Sequence, residues 1–258
     1  MDRLFVHNSL EDFNIIIINQ TSSNALLESS NPNIKVINSF AKGSPASRNL
    51  AIKNSTADIC LMADDDIVYE PNLKATILSA YQEHPEADFI SFEAKNEFNK
   101  SQAPYPQEGW HSKSSLTTIF TWVITFKRDI FSKKSIYFNH HFGVGSTFKG
   151  STEYVFLRNA FDKGLRMYHV PKTIVMHPEE SSGRKMGSDN AFYASSARTY
   201  RFHGNLSYFW LVKYIFNVLR NKHISLTEIP HKFRVGCRGI SKYKALEKSR
   251  DIDNVYFD

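Results

Sequence analysis

The stretch Ala57-Asp58-Ile59-Cys60-Leu61-Met62-Ala63-Asp64-Asp65-Asp66-Ile67-Val68-Tyr69 decides how the rest of the chain is read. Ile59 to Met62 is a short unbroken apolar run, the pattern of a strand covered on both faces. Three adjacent carboxylates follow it at once. Like charges repel, so such a triplet sits on a solvated turn or around a cation. A solvated turn is the plain reading of a bare Asp triplet. Its context argues for more. Ligand sites of open α/β sheets lie at the carboxyl ends of strands. Hard divalent cations such as Mg²⁺ and Mn²⁺ choose carboxylate oxygens. An acid cluster at that edge of a basic chain suits a cation that bridges a diphosphate.

Working outward, the same alternation continues on both sides. Phe13 to Ile18 is a β-branched run and Ile34 to Ile37 a shorter one, both read as strands. Ser44-Pro45 supplies an N-cap and a first-turn proline for a helix over Ala46 to Ser55, with Leu50 and Ala51 facing inward. Arg48 and Asn49 fall on its first turns, where they can meet a phosphate, ribose or base; a well-capped helix with an exposed Arg is the plain alternative. Glu70-Pro71 opens a helix with Leu73, Ile77, Leu78 and Tyr81 at helical spacing, and Phe89 to Phe92 is a further strand. Single helices between strands indicate an α/β sheet with right-handed crossovers. Asn96 to Ser115 reads as a loop and Leu116 to Phe126 as a strand. Phe142 to Gly145 reads as a glycine turn, and Glu153 to Lys163 as a helix ended by Gly164. Two short strands, Met167 to Val170 and Thr173 to Met176, flank Pro171.

Composition bounds the function. The 258 residues are 41% hydrophobic and 22% charged, ordinary for a globular chain. Two cysteines are too few for a disulfide framework or a structural zinc site. Met1 to Phe5 lacks the apolar core of a signal peptide, and no apolar run of membrane-spanning length occurs. These features lead us to expect a cytoplasmic protein. The net charge of +6 suggests an anionic partner. The aromatics lie in apolar runs rather than between basic residues, so no nucleic acid is expected as partner.

The ordered set of motifs resembles the GT-A glycosyltransferases of family 2. It comprises Ser47-Arg48-Asn49-Leu50-Ala51-Ile52, the Ala57–Tyr69 stretch, Phe142-Gly143-Val144-Gly145, Ser151-Thr152-Glu153-Tyr154-Val155-Phe156-Leu157 and Val175-Met176-His177-Pro178. The resemblance covers about residues 13 to 200. It implies a Rossmann-like, mainly parallel sheet flanked by helices. It also implies a donor half to about residue 95, an acceptor half over about 96–204, and a helical C-terminal extension over 205–258. Glu153 stands where the family keeps its catalytic base, although Thr152 replaces the first acid of the usual pair; a helix-capping acid is the alternative. Asp65, Asp66 and His177 are the implied ligands of Mn²⁺ or Mg²⁺, with an ordinary strand-end histidine as the alternative for His177. Asn19, Arg48, Asn49 and Asp64 fall on the nucleotide-sugar side, and Gly143 and Gly145 on the acceptor side.

The implied reaction is inverting, metal-dependent transfer of a sugar, most often from a UDP-sugar. The acceptor is a saccharide or lipid-linked saccharide in capsule, lipopolysaccharide or exopolysaccharide assembly. Alternatives are a transferase-fold binding module without turnover, and a nucleotidyltransferase, which the lack of a glycine-rich phosphate loop disfavours. Relatives begin with a strand and helix ahead of this chain's first strand. Leu4-Phe5-Val6 matches the end of that helix, so the first strand and much of the first helix are expected to be missing and a central strand of the sheet to be left unpaired. Finally, Leu206 to Arg220 has an aromatic-aliphatic face edged by Lys213, Arg220 and Lys222. It suits packing on the core or on a subunit, or an anionic membrane interface with Trp and Tyr at headgroup level. Lys232, Arg234, Arg238, Lys242 and Lys244 extend its basic surface. The second setting makes the protein peripheral at the inner face of the membrane.

Overall fold

The computed structural model describes residues 3–177 and 186–255. It divides into two compact units. One comprises Met1–Phe40, Leu50–Tyr137 and Phe156–Ser181; the other comprises Ala41–Asn49, Phe138–Val155 and Ser182–Asp258. In chain order the elements are β1 (Ile15–Gln20), β2 (Ile34–Ser39), α1 (Ser44–Asn54), β3 (Ile59–Leu61), β4 (Val68–Tyr69), α2 (Leu73–Glu83), β5 (Phe89–Lys95), β6 (Gly109–Trp110), β7 (Ile124–Lys127), α3 (Arg128–Lys134), α4 (Thr152–Asp162), β8 (Met167–Met176), α5 (Asp189–His203), α6 (Ser207–Arg220) and α7 (Ile229–Lys248).

The first unit holds two sheets. β1 and β2 pair in parallel, Ile15 opposite Ile34 through Gln20 opposite Ser39. With only two strands, β1 is half-buried rather than covered on both faces. A six-stranded sheet runs β3-β7-β5-β8-β4, with β6 on β8. The α/β class stands, but this sheet is mixed rather than mainly parallel. β5 and β8 are parallel, whereas β7 enters between β3 and β5 antiparallel to both. Its core is aromatic: Phe89, Phe92, Phe126, Phe131 and Phe156 are all buried, and the Phe126 and Phe131 rings lie 4.0 Å apart. At its start, Leu4 to Val6 form turns rather than a helix end. Leu4 O accepts from Tyr69 N at 3.0 Å, and Phe5 packs on Tyr69. Asn8 Oδ1 accepts from Leu73 N at 3.1 Å. It thereby caps α2, whose own flanking Asn72 is left-handed and makes no side-chain cap.

Two strand expectations change. Leu116 to Phe126 is mostly two 3₁₀ turns, Ser115–Thr118 and Thr121–Val123, and only then β7. Leu116, Ile119, Trp122 and Val123 are buried all the same. Apolar content signalled burial here, not extended backbone. Conversely, Pro171 does not end a strand. It lies within the continuous β8, where the β5 register shifts and β6 and β4 pair only with the flanking residues. Proline lacks the donor a full ladder needs, so it falls where the ladder is interrupted.

The second unit is built on α5, α6 and α7. Ser188 Oγ caps α5 by accepting from Ala191 N at 3.2 Å. Asp189, in the first turn of α5, takes Lys232 Nζ at 2.8 Å and His231 Nε2 at 2.7 Å from α7. Lys232 is thus buried and paired, not part of a basic surface. Phe192, Leu211, Ile215, Val218 and Val235 form one apolar cluster. Phe142, Phe148, Val155, Tyr243 and Leu246 form another. Gly236 and Gly239 on α7 let the helices close. A Cβ on Gly239 would lie 2.2 Å from Tyr193 O, and one on Gly236 would lie 2.6 Å from the Leu211 side chain.

Candidate active site

In the first unit, strand register assembles the acid cluster with a distant histidine. β4 and β8 run antiparallel with Val68 opposite Met176, so the residues just before β4 face those just after β8. Asp66 and His177 therefore meet, Oδ1 to Nε2 at 3.5 Å. The acid cluster and the late histidine are thus neighbours in space. Asp66 stays open to solvent while His177 is buried. Asp65 is exposed and Asp64 half-buried. Burial, and secondarily the Asp64 charge, raise the phenol of Tyr69 well above its ordinary value, so it stays a neutral donor. Tyr69 Oη reaches Met62 O at 3.4 Å and so ties the two ends of the acid loop.

His177 is held on every side. Its N donates to Lys95 O at 2.9 Å, and its O accepts from Gln102 Nε2 at 2.6 Å. The Trp122 ring stacks on its imidazole at 4.2 Å and 21°, and Phe120 stacks in turn on Trp122 at 4.9 Å. Sequence reasoning missed Gln102, Phe120 and Trp122. The first lay in a supposed featureless loop and the other two in a supposed strand.

Three further candidates lie in the second unit. Arg48 Nη1 stands 3.6 Å from Glu153 Oε1, and its guanidinium lies over the Phe138 ring at 5.4 Å. The two candidate residues, 105 positions apart, thus form one partly exposed ion pair. Asn49 differs from them. It is fully buried and clamps the backbone of Phe138, donating to its O at 2.9 Å and accepting from its N at 2.8 Å. Its amide holds the irregular Phe138 segment from within.

The glycine turn is explained by packing. Gly143 and Gly145 have φ of +144° and +81°, which favours glycine. A Cβ on Gly143 would lie 2.6 Å from Thr152 Oγ1 and 2.8 Å from Ser44 Oγ; one on Gly145 would lie 2.8 Å from Gly43 Cα. Ser44 N donates to Val144 O at 2.9 Å. The turn is thus locked to the starts of both α1 and α4. Thr152 Oγ1 donates to Phe142 O at 3.2 Å and is buried, so a hydroxyl rather than a second acid fits that position. Asn19, at the end of β1, spends its amide on Asn38 Oδ1 at 2.8 Å and Ala25 O at 3.2 Å.

The sequence model of the family described as Glycosyl transferase family 2 matches residues 4–152, more than half of the chain. The chain belongs to glycosyl transferase family 2. That span takes in the acid cluster, Arg48 and the first residue of α4, and the protein is a glycosyltransferase of GT-A fold. Crystal structures of S. aureus TarS share the fold. The TarS 1–349 complex with UDP-GlcNAc has TM-score 0.57 and 13% identity, covering 95% of this chain and 81% of that one. The complex with UDP has TM-score 0.55 and 15% identity, covering 95% and 80%. A further TarS structure has TM-score 0.57 and 13% identity, covering 92% of this chain and 45% of that one. At such identities the likeness concerns the fold. No curated protein matches.

A divalent cation is the cofactor the family implies. Asp66 and His177 supply one carboxylate and one imidazole in contact, with Asp65 adjacent on the same loop. Among the described residues, no three His, Cys, Asp or Glu side chains gather around one point. Asp66 and His177, with Asp65 next to them on the loop, fit an ion that draws the rest of its shell from phosphate oxygens and water, as Mg²⁺ does in phosphate sites.

Proposed function

We propose that this glycosyltransferase moves a sugar from a nucleotide-sugar, a UDP-sugar by the TarS likeness, onto a saccharide or lipid-linked saccharide hydroxyl. It does so with inversion and with Mn²⁺ or Mg²⁺, in the assembly of a surface polysaccharide such as a capsule, lipopolysaccharide or exopolysaccharide. The observation that carries this is the meeting of Asp66 with His177 across the β4–β8 register, within a family 2 fold. Asp65, Asp66 and His177 would hold the cation, which when bound offsets the charge of the leaving diphosphate. Trp122 fixes the plane of the His177 ring. Glu153 takes the proton from the acceptor hydroxyl, and Arg48 holds that carboxylate in place. Asn49 supports from beneath rather than touching the donor. The lipid-linked acceptor brings with it a peripheral position at the inner face of the membrane.

The test is calorimetry with UDP and Mn²⁺. Asp65→Ala is expected to abolish metal-dependent UDP binding with little loss of stability, because the loop is solvated. Unchanged affinity would remove Asp65 from the site. A binding module without turnover is the second reading, favoured by the small number of converging ligands among the described residues. Metal-dependent hydrolysis of UDP-sugars by the parent protein excludes it.

A further inference from the structure

α6 carries two apolar faces. One is spent on the core: Ser207, Leu211, Ile215 and Val218 are buried. The other is in water. Phe209 is 76% exposed, Val212 57% and Phe216 64%, at i, i+3 and i+7, so they form one ridge along the helix. Isolated exposed apolar residues are ordinary, but a contiguous aromatic ridge marks an interaction surface. Lys213 and Arg220 flank the ridge on the same exposed side, and Lys222 follows. α6 contains no acidic residue. Residues 191–250 hold 12 basic and 2 acidic side chains, of which Arg201 and Lys232 are spent on Asp253 and Asp189.

We propose that this ridge docks on an anionic lipid bilayer, with Phe209, Val212 and Phe216 entering the interface and Lys213 and Arg220 meeting headgroup phosphates. The charge pattern selects this partner over a second copy of the chain. A two-fold contact would set each ridge against itself. With no acid on α6, either helix orientation would oppose cation to cation. The helix lies on the membrane and does not cross it; among the described residues none is long and apolar enough to span. Trp210 is not the inserted residue. It is half-buried and stacked on Tyr214 at 4.8 Å and 11°, with Tyr214 Oη tied to Met186 O. Lys244 also contributes little, for it lies over the Tyr200 and Tyr208 rings. The proposal deepens the membrane setting given above, yet it stands on the α6 surface alone.

Flotation with phosphatidylglycerol or phosphatidylcholine vesicles tests it, at about 50 mM and about 500 mM salt, where screening is short-ranged. The full chain is expected to float with phosphatidylglycerol at low salt only. Phe209→Ser/Phe216→Ser is expected to lower partitioning at least about tenfold, since two phenyl groups no longer leave water. Lys213→Gln/Arg220→Gln is expected to remove the dependence on anionic lipid. A protein that stays soluble with phosphatidylglycerol at low salt overturns the proposal, as does a phenylalanine variant that floats like the parent. So does a dimer, seen by ultracentrifugation, that the phenylalanine variant splits while neither protein binds vesicles. Mn²⁺-UDP affinity is measured on the same preparations. Its loss in the parent bears on the donor reading, not on the ridge.

Discussion

Glu153 shows how much a single position carries. It opens α4, where a carboxylate also suits the helix dipole. The ion pair with Arg48 gives it a second partner that a mere cap would not need. Glu153→Gln keeps the shape and one side-chain oxygen but cannot accept the proton. We expect UDP-sugar binding to persist while transfer falls by roughly a hundredfold or more. Steady-state kinetics beside calorimetry checks this, and equal turnover would return Glu153 to a capping role. The sequence showed the residue and its neighbour Thr152. It did not show that the Thr152 hydroxyl is consumed by Phe142 O, because that bond closes a turn ten residues upstream. Asn49 is the opposite case. Its motif suggested a ligand contact, and tertiary packing turned the amide inward onto a backbone 89 residues away.

At the scale of elements, helix packing in the second unit depends on absent side chains. Gly239 lies mid-helix in α7, where glycine is unfavourable by about 1 kcal/mol relative to Ala. Ala at this position would recover that propensity, but its methyl would meet Tyr193 O, a backbone atom that cannot rotate away. Overpacking of this kind costs about 1–3 kcal/mol and exceeds the gain. Gly239→Ala is therefore expected to lower the urea midpoint, whereas Gly236→Ala, which meets a movable Leu211 side chain, should lower it less. Equal stability of Gly239→Ala and parent would show that α5 and α7 can separate without loss. Neither glycine could be explained from sequence, since Gly239 answers to Tyr193 on α5 and Gly236 to Leu211 on α6, both on other helices far along the chain. The helices over Leu73–Glu83, Thr152–Asp162 and Ser207–Arg220 were legible, because apolar spacing acts locally.

At the scale of the whole molecule, a buried cluster in the six-stranded sheet is expected to couple stability to acid pH. Ser91 Oγ on β5 lies 2.8 Å from His111 Nε2 and 2.9 Å from His169 Nδ1, and all three residues are buried. Desolvation pushes both imidazoles down to about 4, with mutual repulsion a lesser cause for His111. Their folded values lie below the unfolded ones. The unfolded chain therefore binds more protons between about pH 6.5 and pH 4. The contribution is complete above about pH 6.5 and is lost as pH falls through the folded values. Urea unfolding of the parent should show stability declining on the order of 2 kcal/mol or more from pH 7 to pH 4.5. His111→Gln/His169→Gln should flatten that slope, and an unchanged slope would assign acid sensitivity elsewhere. What the sequence by itself determined is what neighbours along the chain enforce: the α/β alternation, the helices with apolar spacing, the acid loop after β3, and the order of motifs that marks the family. Strand direction, the meeting of Asp66 with His177, the Arg48–Glu153 pair and the exposed ridge of α6 came only with tertiary structure. Each joins residues far apart in sequence or depends on which face another element covers, and no local pattern of hydrophobicity or charge encodes that partner.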